Sequence, residues 1–80
     1  MLTDYIRAAM KHAKYEIIDD GTFFATIPGL DGLWANAPTL EECREELQST
    51  LEDWILVGVR RGHTIPIVDG IDLNILEPTA

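Results

Sequence analysis

The segment FFATIPGLDGLWANAPTLEECREELQSTLEDW, residues 23–54, decides how this chain folds. It reads as a strand ending at Ile27-Pro28, a glycine-marked turn, a second short strand and then a long amphipathic helix. Thr39 suits the N-cap of that helix, and Glu42 sits three residues on, where its carboxylate reaches back towards the Thr39 N–H. Pro38 precedes the cap, where a missing backbone donor costs little. At about 100° per residue, Leu40, Cys43, Leu47, Leu51, Trp54 and Gly58 share one stripe. Glu41, Glu42, Glu45, Glu46, Glu52 and Asp53 fall opposite. The stripe is expected to face a core and the back to face water. Within that back, Glu41, Glu45, Glu46, Glu52 and Asp53 make a candidate docking face for a basic partner.

Working outward, the helix is expected to end at Arg60-Arg61-Gly62, with cations in its last turn and glycine just past it. WILVGV, residues 54–59, breaks the amphipathic pattern by placing Leu56 and Val59 on the acidic side. Either this helix end is covered on two sides, by the N-terminal helix or a neighbouring subunit, or the run frays into extended chain. Upstream, KYEIIDDGTFFATIP reads as a β-hairpin around Asp20-Gly21, a two-residue turn pairing Ile18 with Phe23 and Ile17 with Phe24. Both faces would then carry an apolar pair, one under the long helix and one needing a cover. Trp34 either anchors under the sheet or sits at an interface. Ile17, Phe24, Trp34, Leu56 and Val59 are therefore the candidate contacts for helix packing or for oligomer formation.

Residues 3–13 suit a short helix that Thr3 could cap. Tyr5, Ile6, Ala9, Met10 and Ala13 form its apolar side, and Arg7, Lys11 and Lys14 make it the basic part of the chain. It is too short to hold alone and must dock on its own sheet or a partner's. After the long helix, Ile65-Pro66 is a connector and Asp69-Gly70 a turn. Ile71, Leu73 and Ile75 alternate with polar residues as a last strand, at an edge or exchanged between chains.

Eighty residues make one small domain, 14–77 being its core. So short a chain buries only about 60% of the surface it exposes unfolded. One cysteine and no ligand cluster leave disulfides or zinc out as staples. Self-association is the expected remedy, as an intertwined homodimer or a tetramer. The net charge of −8 repels phosphate backbones, so direct nucleic-acid binding is not expected. Neither a membrane span nor a signal peptide is legible, which makes a cytoplasmic location the expectation.

The ordered set FFATIPGLDG, Ala35, Ala37, Thr39-Leu40-Glu41-Glu42-Cys43, Leu47, Leu51 and Trp54, followed by Gly62 and Ile65-Pro66, resembles the HicB antitoxin family over roughly residues 15–66. Leu33, Ala37 and Cys43 depart from the family pattern, all by changes of packing. The resemblance implies an α+β, two-layer fold: a three-stranded antiparallel meander, a long helix and a final strand (β-β-β-α-β, partial ribonuclease-H-like), here with an extra N-terminal helix. It further implies an antitoxin that sterically neutralises a small basic HicA-type toxin that cleaves mRNA. Many members carry a DNA-binding segment at the C-terminus, for which residues 67–80 leave no room.

Catalytic chemistry is not legible. His12 and His63 stand far apart, neither at metal-ligand spacing from Cys43, and there is no glycine-rich phosphate loop or nucleophile elbow. Cys43 reads as a small buried apolar residue. A nuclease of the implied shape would need converging carboxylates, where this chain has Phe24, Thr26, Trp34 and Asn36. The chain is expected to be a non-enzyme without cofactor or metal. The rival expectation is a stand-alone oligomeric domain that binds or regulates an unknown ligand, with no toxin partner.

Overall fold

Three alanines, Ala25, Ala35 and Ala37, line one side of a small sheet and are all buried. Their small side chains let a helix lie close to the strands, and the architecture follows from that approach. A computed structural model describes residues 2–73, in the order α1 (Leu2–Lys11), β1 (Lys14–Ile17), β2 (Phe23–Thr26), β3 (Trp34–Ala37) and α2 (Leu40–Arg60). The strands form an antiparallel meander in the order β1-β2-β3, and α2 packs on β2 and β3. The chain is therefore α+β, as expected.

The start of α2 is set by Thr39, whose side-chain oxygen accepts a hydrogen bond from Glu42 N at 3.1 Å. Its end is a Schellman motif. Gly62 N donates to Val59 O at 3.1 Å and His63 N to Gly58 O at 2.8 Å, with Gly62 at φ +71°. The helix thus runs through WILVGV, and the extended alternative for that run is not adopted. Cys43, Leu47, Leu51, Ile55 and Gly58 are its buried residues. Two positions of the expected stripe differ. Leu40, the first residue of α2, is 48% exposed, and Ile55 takes a core position the stripe omitted.

The β1–β2 hairpin is shifted by one residue from the expected register. Ile17 pairs with Phe23 and Glu16 with Phe24, not Ile18 with Phe23 and Ile17 with Phe24. The loop holds three residues, closed by Gly21 N to Ile18 O at 2.9 Å and Ile18 N to Thr22 O at 2.9 Å, with Gly21 at φ +84°. This is a turn with a glycine bulge, and not the two-residue form. Asp20 fixes it by accepting from Thr22 N at 2.9 Å and from Thr22 Oγ1 at 2.6 Å. One residue of slip sends every side chain to the other face. The outer face accordingly carries Lys14, Glu16, Thr26 and Asn36 around Phe24 and Trp34, and is not wholly apolar.

Helix α1 packs against α2 and leaves that outer face open. It buries Tyr5, Ala8, Ala9 and Met10. The Tyr5 hydroxyl donates to Pro66 O at 2.7 Å, and His12 Nε2 lies 2.7 Å from Asp69 Oδ1, so both ends of the helix are tied to the segment after α2. In that segment Val68 and Ile71 bridge across the Asp69-Gly70 turn, with Asp69 at φ +49°. Ile71 thus closes a tight turn, and Leu73 is buried. Residues 74–77 of the expected final strand lie outside the described residues.

Candidate functional site

The six carboxylates of α2 are all solvent-exposed: Glu41, Glu42, Glu45, Glu46, Glu52 and Asp53. Helical spacing divides them into two adjacent rows, Glu41, Glu45 and Glu52 in one, and Glu42, Glu46 and Asp53 in the other. Leu56 and Val59 continue the first row towards the C-terminus of α2 and are 56% and 48% exposed. Neither is covered by α1, contrary to one of the two expected covers. The cleft between the two helices is lined on α2 by Arg44 and Gln48, in the N-terminal half of α2, whereas Leu56 and Val59 stand near its C-terminal end. Acidic groups leading into an exposed apolar end make a single surface along a helix of 21 residues. Such a helix is about 30 Å long.

The other candidate contacts lie on the sheet. Trp34 does not anchor under it. The indole stands on the outer face, 57% exposed, stacked on Phe24 with ring centroids 5.9 Å apart and an interplanar angle of 19°. Beside the pair, Asn36 Nδ2 donates to Thr22 Oγ1 at 2.7 Å and to Phe23 O at 2.8 Å, which holds the outer end of β3 to the hairpin. Phe24, Thr26, Trp34 and Asn36 do converge on this one face, as a stacked aromatic pair with neutral polar neighbours. Ile17 is at the hairpin end of β1 on the side facing the helices, yet 68% exposed because α2 covers β2 and β3. The sequence reading missed Ile67, 61% exposed in the connector, and Val57, 45% exposed. The apolar WILVGV run was the signal for Val57.

Cys43 is buried under the helix. Its thiol lies 3.6 Å from Phe23 O and 3.8 Å from Ala35 O, and its single proton serves one carbonyl at a time. Burial, reinforced by the Glu46 carboxylate, raises its pKa above the ordinary thiol value, against a lowering by its backbone contact with Ala37. A thiol held protonated in this way is a packing group. Among the described residues no three His, Cys, Asp or Glu side chains are grouped so as to hold a metal ion. Nor is any helix among them long and apolar enough to cross a membrane.

The family model described as UPF0150-like matches residues 4–66, which takes in α1, the whole sheet, α2 and the connector. The chain belongs to this family. The crystal structure of TTHA0281 from Thermus thermophilus has the same fold, with a TM-score of 0.84 and 41% identity over 90% of each chain. No curated protein matches this sequence. Family membership thus covers the acidic helix and the aromatic sheet face together.

Proposed function

We propose that this protein is a HicB-type antitoxin whose acidic α2 face binds and occludes a small, basic, mRNA-cleaving toxin of the HicA kind. Membership of the UPF0150-like family is compatible with a toxin–antitoxin role. The observation that carries the reading is the α2 surface, where six exposed carboxylates lead into the exposed Leu56 and Val59. The two parts do different work. Carboxylates hasten and orient encounter with a cationic surface. Desolvated apolar side chains hold the complex once it has formed. A toxin that binds RNA through a basic patch loses access to message when that patch is covered, so neutralisation is steric and needs no catalytic group here.

The test is to look for a small basic protein in the neighbouring reading frames and to co-express any such protein with this chain, read by stoichiometric co-purification and rescue of growth. Failure of both would sink the reading in favour of a ligand-binding domain without a toxin. The outer face, centred on Phe24 and Trp34, serves in this reading as the contact between copies of the chain in a cytoplasmic dimer or tetramer. Trp34→Ala should then lower the mass seen in light scattering without disturbing the far-ultraviolet circular dichroism.

A further inference from the structure

Arg7, Lys11 and Arg44, three of the chain's six lysines and arginines, line a single cleft of about 330 Å³ between α1 and α2. Thr3, Gln48, Ile6 and Met10 complete it. On a chain of net charge −8, this gathering of cations stands out from the average field. It also has an internal order. Met10 is buried and Ile6 half-buried, forming an apolar floor, while the three cations, Thr3 and Gln48 are exposed around it. Arg44 and Gln48 are one helical turn apart on the flank of α2 that faces α1, in the N-terminal half of the helix, whereas Leu56 and Val59 lie near its C-terminal end. The carboxylate nearest Arg7 is Asp4 at 4.0 Å, both side chains about two-thirds exposed, a contact that an incoming anion displaces at little cost.

We propose that this cleft binds a small amphipathic anion, with a phosphate or carboxylate head held by Arg7, Lys11 and Arg44 and a short aliphatic body lying on Ile6 and Met10. Guanidinium groups suit such heads because their paired N–H donors match two anionic oxygens. The volume lies at the small end of the range for ligand pockets, enough for a head group and a few carbons. The walls come from two helices, so the ligand bridges them and stabilises the folded chain by mass action. The cleft borders the acidic row of Glu41, Glu45 and Glu52, which stands within one helical turn of Arg44 and Gln48, and its occupancy does not depend on a toxin.

The experiment uses the full chain and three probes: hexyl phosphate, inorganic phosphate as head alone, and hexanol as tail alone. Expected are saturable changes in the Ile6 and Met10 methyl and Gln48 side-chain NMR signals with hexyl phosphate, and a rise in Tm. Bare phosphate should bind at least about tenfold more weakly, and hexanol should show no saturation. Arg44→Glu should weaken hexyl phosphate by about tenfold or more, whereas Arg60→Glu, at the far end of α2, should leave it unchanged. Lys11→Glu, on the exposed side of α1, repeats the test should the Arg44 variant fail to fold. Absence of saturation, equal binding of bare phosphate, or an Arg60→Glu loss as large as that of Arg44→Glu would each overturn the proposal.

Discussion

A Cβ built on Gly58 would lie 2.7 Å from Ile65 Cδ1, and Ile65 is itself 2% exposed in the core. Two effects oppose each other when that Cβ is added. Alanine in place of glycine favours a helix interior by about 1 kcal/mol, while overpacking a core costs about 1–3 kcal/mol. The contact is to the tip of a side chain, so the conflict is removable. Gly58→Ala alone should be neutral or destabilising in urea denaturation, but stabilising by up to about 1 kcal/mol in an Ile65→Val background. Equal effects in the two backgrounds would show that the approach does not constrain the helix. Cys43 gives a second test. Its buried thiol should react with a disulfide reagent no faster than the chain opens, and denaturant should abolish the protection.

Helix α1 shows which of its ties matter. Tyr5 is fully buried and its hydroxyl bonds Pro66 O, so Tyr5→Phe leaves a carbonyl unpaired and should cost about 1–2 kcal/mol. His12 and Asp69 are about half exposed. Their pair, being wet, should be worth at most about 1 kcal/mol, so His12→Ala should cost less than Tyr5→Phe. The reverse order in thermal melts would mean that the far end of α1 anchors it. In the β1–β2 hairpin, the hydrogen bonds from the Thr22 side chain and backbone hold the Asp20 carboxyl below its ordinary pKa. Its contribution is present above the ordinary carboxylate value and is lost as pH falls through the lowered one. The stability difference between the protein and Asp20→Asn should therefore shrink on acidification.

For the whole molecule, charge and burial set two expectations. Burial raises the pKa values of Tyr5, Tyr15 and Cys43, the last with help from Glu46. The folded state then holds these protons more tightly than the unfolded chain. Their share of stability is complete below the ordinary thiol and phenol values, and is lost as pH rises through the raised ones. Stability should be level near neutrality and decline in the alkaline range, less steeply for Cys43→Ala. If the chain binds a basic toxin as proposed, reversing charge at Glu45 and Glu52 should slow that association strongly at low salt and little at high salt, whereas Leu56→Ala should mainly speed dissociation. An unchanged on-rate would place docking elsewhere.

What the sequence by itself determined was local: the Thr39 cap, the 3.6-residue stripe of α2, the Gly62 stop, the Asp69-Gly70 turn and the run of small strand residues. Each rests on contacts within a few positions of chain, where residue type leaves few alternatives. Tertiary structure decided the rest. The Asp20-Gly21 signal fits either a two- or a three-residue loop, and only pairing across the sheet chose the latter, sending Glu16 outward beside Phe24. Trp34 suits the inside or the outside of a sheet equally well by composition. It lies outside because Ala25, Ala35 and Ala37 take the helix side, where a large ring would hold α2 away. The gathering of Arg7 and Lys11 with Arg44 was equally hidden. Residues more than thirty positions apart meet only when two helices pack, and packing is settled by the shape of the whole core.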